Sequence, residues 1–264
     1  MPEKLLTPIL ITRGLNTRCI GQRVLVFPTV SSTMDIARQE ALNKAPEGTA
    51  VIAERQTAGR GRLKRAWHTP EGNIAVSVIL YPPRECFQSL IMLASLAVLN
   101  SIQMTTGLTC RLKWPNDVLI SDKKVCGILI ETKTQTDRLD YAIFGIGINV
   151  NMKLVEYPEL HSIATSLADE LGKPISVIQL LRQLFTELER LYLGMLSGKS
   201  LFPEWRENLA TIGKVVRVQS GDTIYEGTAD SVGEDGCLIL RRDDGSLMKI
   251  TIGDVTLREQ KESG

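Results

Sequence analysis

Gly59-Arg60-Gly61-Arg62-Leu63-Lys64-Arg65-Ala66-Trp67 follows neither a helical nor a strand period, yet it lies between two stretches that read as strands. Before it, Thr49 to Glu54 is apolar enough for a strand. After it, Asn73 to Tyr81 alternates apolar and small residues and stops at Pro82-Pro83. The polar segment from Gln56 to Glu71 is therefore expected to be an irregular loop slung between strands. Its glycines let the backbone approach a ligand closely. Three arginines and a lysine set among them carry groups that bind phosphate. Such a loop can close over a polyphosphate or an acyl-adenylate and exclude water. A solvated basic loop or a nucleic-acid patch would carry the same residues, and Trp67 alone is more readily a core side chain.

Working outward, Arg23 to Phe27 reads as a strand leading into Ser31-Ser32-Thr33. A helix is expected to begin there, with Ser32 as its cap and Asp35 near its positive end. Cys86 to Met104 is mostly apolar without Gly or Pro, the pattern of a buried helix. Arg111–Trp114, Val125–Thr132 and Tyr141–Asn149 are expected as strands, the last two forming a hairpin around a polar gap at Lys133 to Asp140. Val177, Leu181, Leu184, Leu188, Leu191 and Met195 share one helical face, and Leu201–Leu209 reads as a last short helix. After Ile212-Gly213 the texture changes. Lys214–Gln219, Thr223–Val232, Cys237–Arg241 and Leu247–Thr251 are short strands separated by glycine turns, the spacing of a small barrel of about 50 residues. Two domains are expected, 1–211 and 212–264.

The 264 residues, 43% of them hydrophobic, supply an ordinary core without staples. A net charge of +1 gives no general reason to bind nucleic acid or an anionic membrane, and neither is expected as a partner. Cys19, Cys86, Cys110, Cys126 and Cys237 are scattered and odd in number, which argues against a disulfide framework. With only His68 and His161 besides, no zinc site is expected. The apolar N-terminus is too short for a leader and no run of 18 apolar residues exists, so a cytoplasmic location is expected.

Three more clusters carry chemistry. In Lys113-Trp114-Pro115-Asn116-Asp117 the proline favours an extended Trp114 and Asn-Asp favours a tight turn, placing amide and carboxylate oxygens where magnesium or a lysine could meet them. Lys124 leads into an apolar strand in which Gly127 leaves room for a ring system. Gly145-Ile146-Gly147-Ile148-Asn149 bares one strand face and sets an amide beside it. Each has a plain structural explanation when taken alone. Gly194-Met195-Leu196-Ser197-Gly198-Lys199-Ser200 is one residue short of a phosphate loop and follows a helix, so it is read as a turn between helices.

Taken in order, Ser31-Ser32-Thr33, Gln56, Gly59–Trp67, Lys113–Asp117, Lys124 with Gly127, and Gly145–Asn149 resemble the biotin–protein ligase family, also called biotin–[acetyl-CoA-carboxylase] ligase. The resemblance implies an α+β catalytic domain, a mixed sheet with helices like that of class II aminoacyl-tRNA synthetases and lipoate ligases, followed by an SH3-like barrel. It implies that Ser32, Thr33 and Gln56 hold the ureido ring of biotin, and that Gly59, Arg60, Arg62 and Trp67 belong to the flap that closes over it. Gly127 and Gly145 would line the biotin slot. Lys124 would touch the reacting carboxylate and α-phosphate with Asp117 beside it, making these two, with Arg60, Arg62 and Arg65, the catalytic set. Lys113, Asn116 and Asn149, with the same three arginines, would contact ATP, and Asn149 and Asp117 would hold Mg²⁺.

The chain departs from the family at Met34, where Asn is frequent, and at Lys64, where Gly is frequent. About 30 residues precede Ser31, too few for the DNA-binding domain of members that repress transcription, so no repressor role is expected. The implied reaction forms biotinoyl-5′-AMP from biotin and ATP. It then transfers biotin to a lysine of the biotin carboxyl carrier domain of a carboxylase. A homodimer through a free sheet edge is left open. A lipoate ligase would share the fold, and a non-catalytic nucleic-acid binder would need aromatic residues interleaved with the basic loop, which Arg60–Arg65 lacks.

Overall fold

The first helix, α1 (Pro8–Thr12), opens the described part of this computed structural model, which comprises residues 6–135 and 138–257. Then follow β1 (Val24–Val30), α2 (Thr33–Leu42), β2 (Ala50–Gln56), β3 (Ile74–Leu80) and α3 (Leu90–Thr106). Next come β4 (Arg111–Lys113), β5 (Asp117–Ile120), β6 (Lys123–Gln135) and β7 (Arg138–Ile148). Helices α4 (Leu167–Leu171), α5 (Val177–Leu196) and α6 (Phe202–Glu207) lead to β8 (Val215–Ser220), β9 (Thr223–Val232), β10 (Leu238–Arg241), β11 (Leu247–Ile250) and β12 (Asp254–Leu257).

Strand alternation sends opposite faces of the first sheet to different neighbours. Its order is β1-β2-β3-β7-β6-β5-β4, with β1 and β2 parallel and the remaining pairs antiparallel. Val76, Val78, Phe144 and Ile146 turn to one face and join the main core with α3 and α5. Val51, Ile79 and Ile143 turn to the other and meet Met34, Ala37 and Ala41 of the short helix α2. This second face is the less covered one, because α2 is short. The six apolar residues expected on one face of α5 are all buried, and Ser176 caps that helix through Gln179 N. By length and composition Arg84–Thr106 could cross a membrane, but 67% of its apolar window is buried within the protein.

The structure differs from expectation where pairing depends on distant partners. The helix expected from Cys86 begins with a 3-10 turn, Arg84–Ser89, before α3 proper, which ends on Gly107 in the left-handed conformation. The polar gap between the two long strands is largely strand itself, because β6 and β7 stay paired out to Gln135 and Arg138; residues 136 and 137 lie outside the described part. Asp117 lies not in a turn but at the start of β5, and the barrel gains a fifth strand in β12. Gly194–Ser200 comprises the end of α5 and the turn that leads to α6, the helix-to-helix connection expected.

The second sheet, β11-β10-β9-β8-β12, is the small antiparallel barrel at the C-terminal end. Its Val216, Val218, Leu238, Leu240 and Val255 share one continuous core with α3 and α5. Trp114 fastens the joint: its backbone N–H donates to Thr211 Oγ1 at 2.9 Å and its indole Nε1–H to Gly236 O at 2.9 Å.

The segment ahead of β1 is fixed by Glu189 on α5, 6% exposed, whose carboxylate accepts from the backbone N–H groups of Arg18, Cys19 and Ile20 at 2.5, 2.7 and 3.0 Å. Burial alone would push this carboxyl up, but the three N–H groups outweigh it and hold it below the ordinary glutamate range. A depressed carboxyl stabilises the fold above its unfolded pKa, about 4.3, and that contribution is lost as pH falls through the folded value. Glu189→Gln keeps the shape but loses the charged acceptors, at about 2 kcal/mol. The melting temperature at pH 7 is expected to fall by roughly 4–8 °C. Melts repeated at pH 3.5 should show a smaller gap between the two proteins; an equal gap would rule out the charge as its cause.

Candidate active site

Ala75, Gly147, Gly127 and Asp117 stand in one row across β3, β7, β6 and β5, and Ser77 and Gly145 stand opposite each other in the next row. Small residues thus bare the middle of the face that α2 leaves open. The Trp67 ring lies in the space they leave: a Cβ on Gly127 would come within 2.9 Å of it, and one on Gly147 would overlap it. Gly145 is covered by Met34, whose sulfur would lie 2.5 Å from such a Cβ. Met34, the departure noted above, is therefore a packing residue of the slot.

One end of the bare face is polar and neutral. Gln56 Oε1 accepts from Thr33 N at 2.9 Å and Thr33 Oγ1 at 3.2 Å, while Ser77 Oγ donates to Thr33 Oγ1 at 2.8 Å. Gln56 Nε2 donates to Thr69 Oγ1 at 3.0 Å. Ser32 stands at the N-cap of α2 but makes no capping bond; 1% exposed, its Oγ has no partner among the described residues. A buried hydroxyl without a partner is costly, and a ligand that hydrogen-bonds it removes that cost.

The other end is charged. The pairing of β5 with β6 slips between Val118 and Leu119, and Val125 and Cys126 both enter the core although they are consecutive. This bulge turns Lys124 toward the bare face, where alternation alone would have sent it inward. Lys124 Nζ lies 2.6 Å from Asp117 Oδ1, close in distance but outside hydrogen-bond alignment, and 5.4 Å from the centre of the Trp67 ring. Lys124 N and O are fastened to Ile163 O and Thr165 N, both at 2.9 Å. Arg62 Nη1 donates to Asn116 Oδ1 at 3.3 Å, and Asn116 Nδ2 donates to Ile128 O at 2.7 Å. Burial pushes the Arg62 guanidinium down, opposed by the charges of Asp254 and Asp117. Arg62 and Lys124 therefore meet on adjacent residues, Asn116 and Asp117.

The flap is more regular than expected. Trp67 N donates to Gly59 O at 2.9 Å and Gly61 N to Arg65 O at 2.7 Å, making a narrow hairpin with exposed Leu63 in the left-handed region at φ 53°. The side chain of Lys64 lies outside the described part. At the flap's foot a cavity of about 250 Å³ is lined by Arg55, Gln56, Gly59, Trp67, Thr69 and Tyr157. A larger cleft of about 630 Å³, by Arg84, Phe87 and Thr134, shares no residue with it.

Two arginines are held away from the Lys124 junction. Arg60 donates to both carboxylate oxygens of Asp35, at 2.6 and 3.2 Å, and this bond holds Asp35 below its ordinary range. Arg65 pairs with Asp254 of β12. Lys113 stands opposite Asp117 in the β4–β5 pairing. Asn149 is buried, its amide nitrogen donating to Thr165 O at 3.0 Å. Asp117 lies beside Lys124, and the amide nitrogen of Asn149 is used on the backbone at Thr165. Among the described residues no group of three or more His, Cys, Asp or Glu could hold a metal ion. Gly147 lies in the slot with Gly145, on the strand face that the two glycines were read to bare, whereas Ser77 opposite Gly145 was not singled out. Asp35 and Asp254 gave no sequence signal, because their arginine partners are fixed by folding.

Residues 26–149 match the biotin/lipoate A/B protein ligase family and residues 211–258 the biotin protein ligase C terminal domain. The bifunctional ligase/repressor BirA of Bacillus spizizenii is 40% identical over 253 residues, covering 92% of this chain and 77% of that protein. The biotin–[acetyl-CoA-carboxylase] ligase of Mycobacterium tuberculosis is 32% identical, covering 95% of this chain and 96% of its own length. The biotin protein ligase of Aquifex aeolicus in complex with biotin and ATP superposes with a TM-score of 0.75 at 28% identity, over 90% of this chain and 99% of that one. With its catalytic segment and its C-terminal barrel both matched in order, the chain belongs to the biotin protein ligase family.

Proposed function

We infer that this chain is an ATP-dependent biotin ligase, forming biotinoyl-5′-AMP with release of pyrophosphate and then transferring biotin to a lysine of a biotin carboxyl carrier domain. The observation that carries this reading is one slot with two unlike ends: neutral hydrogen-bonding groups at Ser32, Thr33 and Gln56, and the Lys124–Asp117 pair beyond the glycines. The neutral end suits a ureido ring, the bare strands suit the fused rings and tail, and the charged end receives the carboxylate.

In the first step the biotin carboxylate attacks the α-phosphorus of ATP. No covalent nucleophile is needed from the protein, whose task is orientation and charge stabilisation. Lys124 stands where the carboxylate and α-phosphate meet, and Arg62 approaches from the flap. Arg60 and Arg65 reach the phosphates only by leaving Asp35 and Asp254. Lys113, Asn116 and Asn149 are proposed around the nucleotide, Asn149 as a buried support. Magnesium is proposed as the ion carried by ATP, with the side-chain oxygens of Asn149 and Asp117 as the protein groups that would meet it. In the second step Asp117 orients the acceptor amine, which loses a proton, forms the amide bond at the biotinoyl carbonyl and expels AMP, while the closed flap keeps the adenylate from water beforehand. Residues 1–211 would hold this chemistry and 212–264 the barrel, in the cytoplasm. The open edge at β1 gives a second copy a place to pair.

The direct test is incubation with biotin, MgATP and a carrier domain, read by the mass of the acceptor, with lipoate in a parallel reaction. No mass gain with biotin would overturn the reading. Lys124→Ala is expected to slow biotinoyl-adenylate formation about a hundredfold, the scale of losing one well-placed charge at a transition state; pyrophosphate release at the normal rate would refute that role. Arg62→Gly removes the tie to Asn116 and loosens the flap. It should retain part of the first step and release free biotinoyl-5′-AMP, measurable by chromatography, and full retention of the intermediate would exclude the lid.

A further inference from the structure

We propose that Asp254, the first residue of β12, is a positioning residue that latches the Gly59–Trp67 flap to the C-terminal barrel through Arg65; this rests on the ligase reading for its catalytic meaning. The carboxylate is held on a firm base. Asp254 pairs with Gln219 of β8, and its neighbour Val255 is 2% exposed in the main core. Arg65 stands at the return of the flap hairpin, where its N–H donates to Arg62 O at 3.1 Å and its carbonyl accepts from Gly61 N. A carboxylate at this point sets where the hairpin rests. Asp254 also lies close enough to Arg62 to oppose the effect of burial on that guanidinium, so one barrel residue acts on two flap arginines.

The latch closes a ring of contacts. Flap and barrel meet at Arg65 and Asp254, the barrel and the β4–β5 turn meet at Gly236 and Trp114, and the turn meets the flap at Asn116 and Arg62. The turn that presents Asn116 and Asp117 and the flap that covers them are thus referred to the same rigid body. The latch must also release, since Arg65 cannot serve Asp254 and a phosphate together. Its exposure makes release easy: Arg65 is 66% and Asp254 22% exposed, and a pair so open to water shifts an equilibrium by no more than about fivefold.

The test uses the full chain with Asp254→Asn, Asp254→Glu, Arg65→Gln and the double variant Arg65→Gln/Asp254→Asn. Without any substrate, tryptic cutting after Arg60 and Arg62, followed by mass spectrometry, should run two- to fivefold faster in Asp254→Asn and Arg65→Gln. The wild-type rate should return in Asp254→Glu, and the double variant should be no faster than either single one. During turnover the same variants should release two- to fivefold more free biotinoyl-5′-AMP per acceptor modified. Unchanged cutting in a folded Asp254→Asn or Arg65→Gln protein, or effects that multiply in the double variant, would overturn the latch. Should Asp254→Asn not fold, Arg65→Gln decides from the flap side. A wild-type protein that makes no biotinoyl-5′-AMP would sink the ligase reading instead, and the substrate-free cutting would still decide the latch.

Discussion

Two glycines facing each other across neighbouring strands, Gly147 on β7 and Gly127 on β6, remove every side chain from the centre of one sheet face. A seven-stranded sheet with both faces filled would be a sound core and nothing more. Here α3 and α5 fill one face, and α2 is too short to cover the other. The Trp67 indole lies against the exposed backbone that remains, so the flap is seated by the same absence of side chains that makes room for a ligand. The polar groups at one end and the charged pair at the other take their meaning from that strip.

Charge near the strip is arranged so that no flap arginine rests unopposed. Arg60 lies on Asp35, Arg62 on Asn116 with two carboxylates near, and Arg65 on Asp254. Free guanidinium groups on a mobile hairpin would repel one another and invite unrelated anions. Exposed pairs are individually weak. They therefore define a resting position while leaving the arginines available to a stronger, polyanionic competitor.

Much of this was legible in the chain. The long elements follow from apolar periodicity, and α5 places every expected residue inside. The site was legible as an ordered set of short clusters, none persuasive alone. Other features depend on register, which local sequence does not encode. Strands β5 and β12 have four residues each and exist because a longer strand lies beside them. Lys124 faces the slot because of a bulge at Val125, invisible in a run of apolar residues. The bond from the Asn149 amide nitrogen to Thr165 O was not legible either, because the loop that pins Lys124 brings that carbonyl close.

Trp114 sits three residues before Asp117 and donates its indole N–H to Gly236 O of the barrel. The contact with the barrel and the contacts of Asn116 and Asp117 with Arg62 and Lys124 therefore share one short stretch of chain. Removing the barrel would leave a large aromatic surface and an indole N–H open to water three residues before Asp117. Trimming either side of this joint would therefore take from Trp114 a partner that holds the short turn in place.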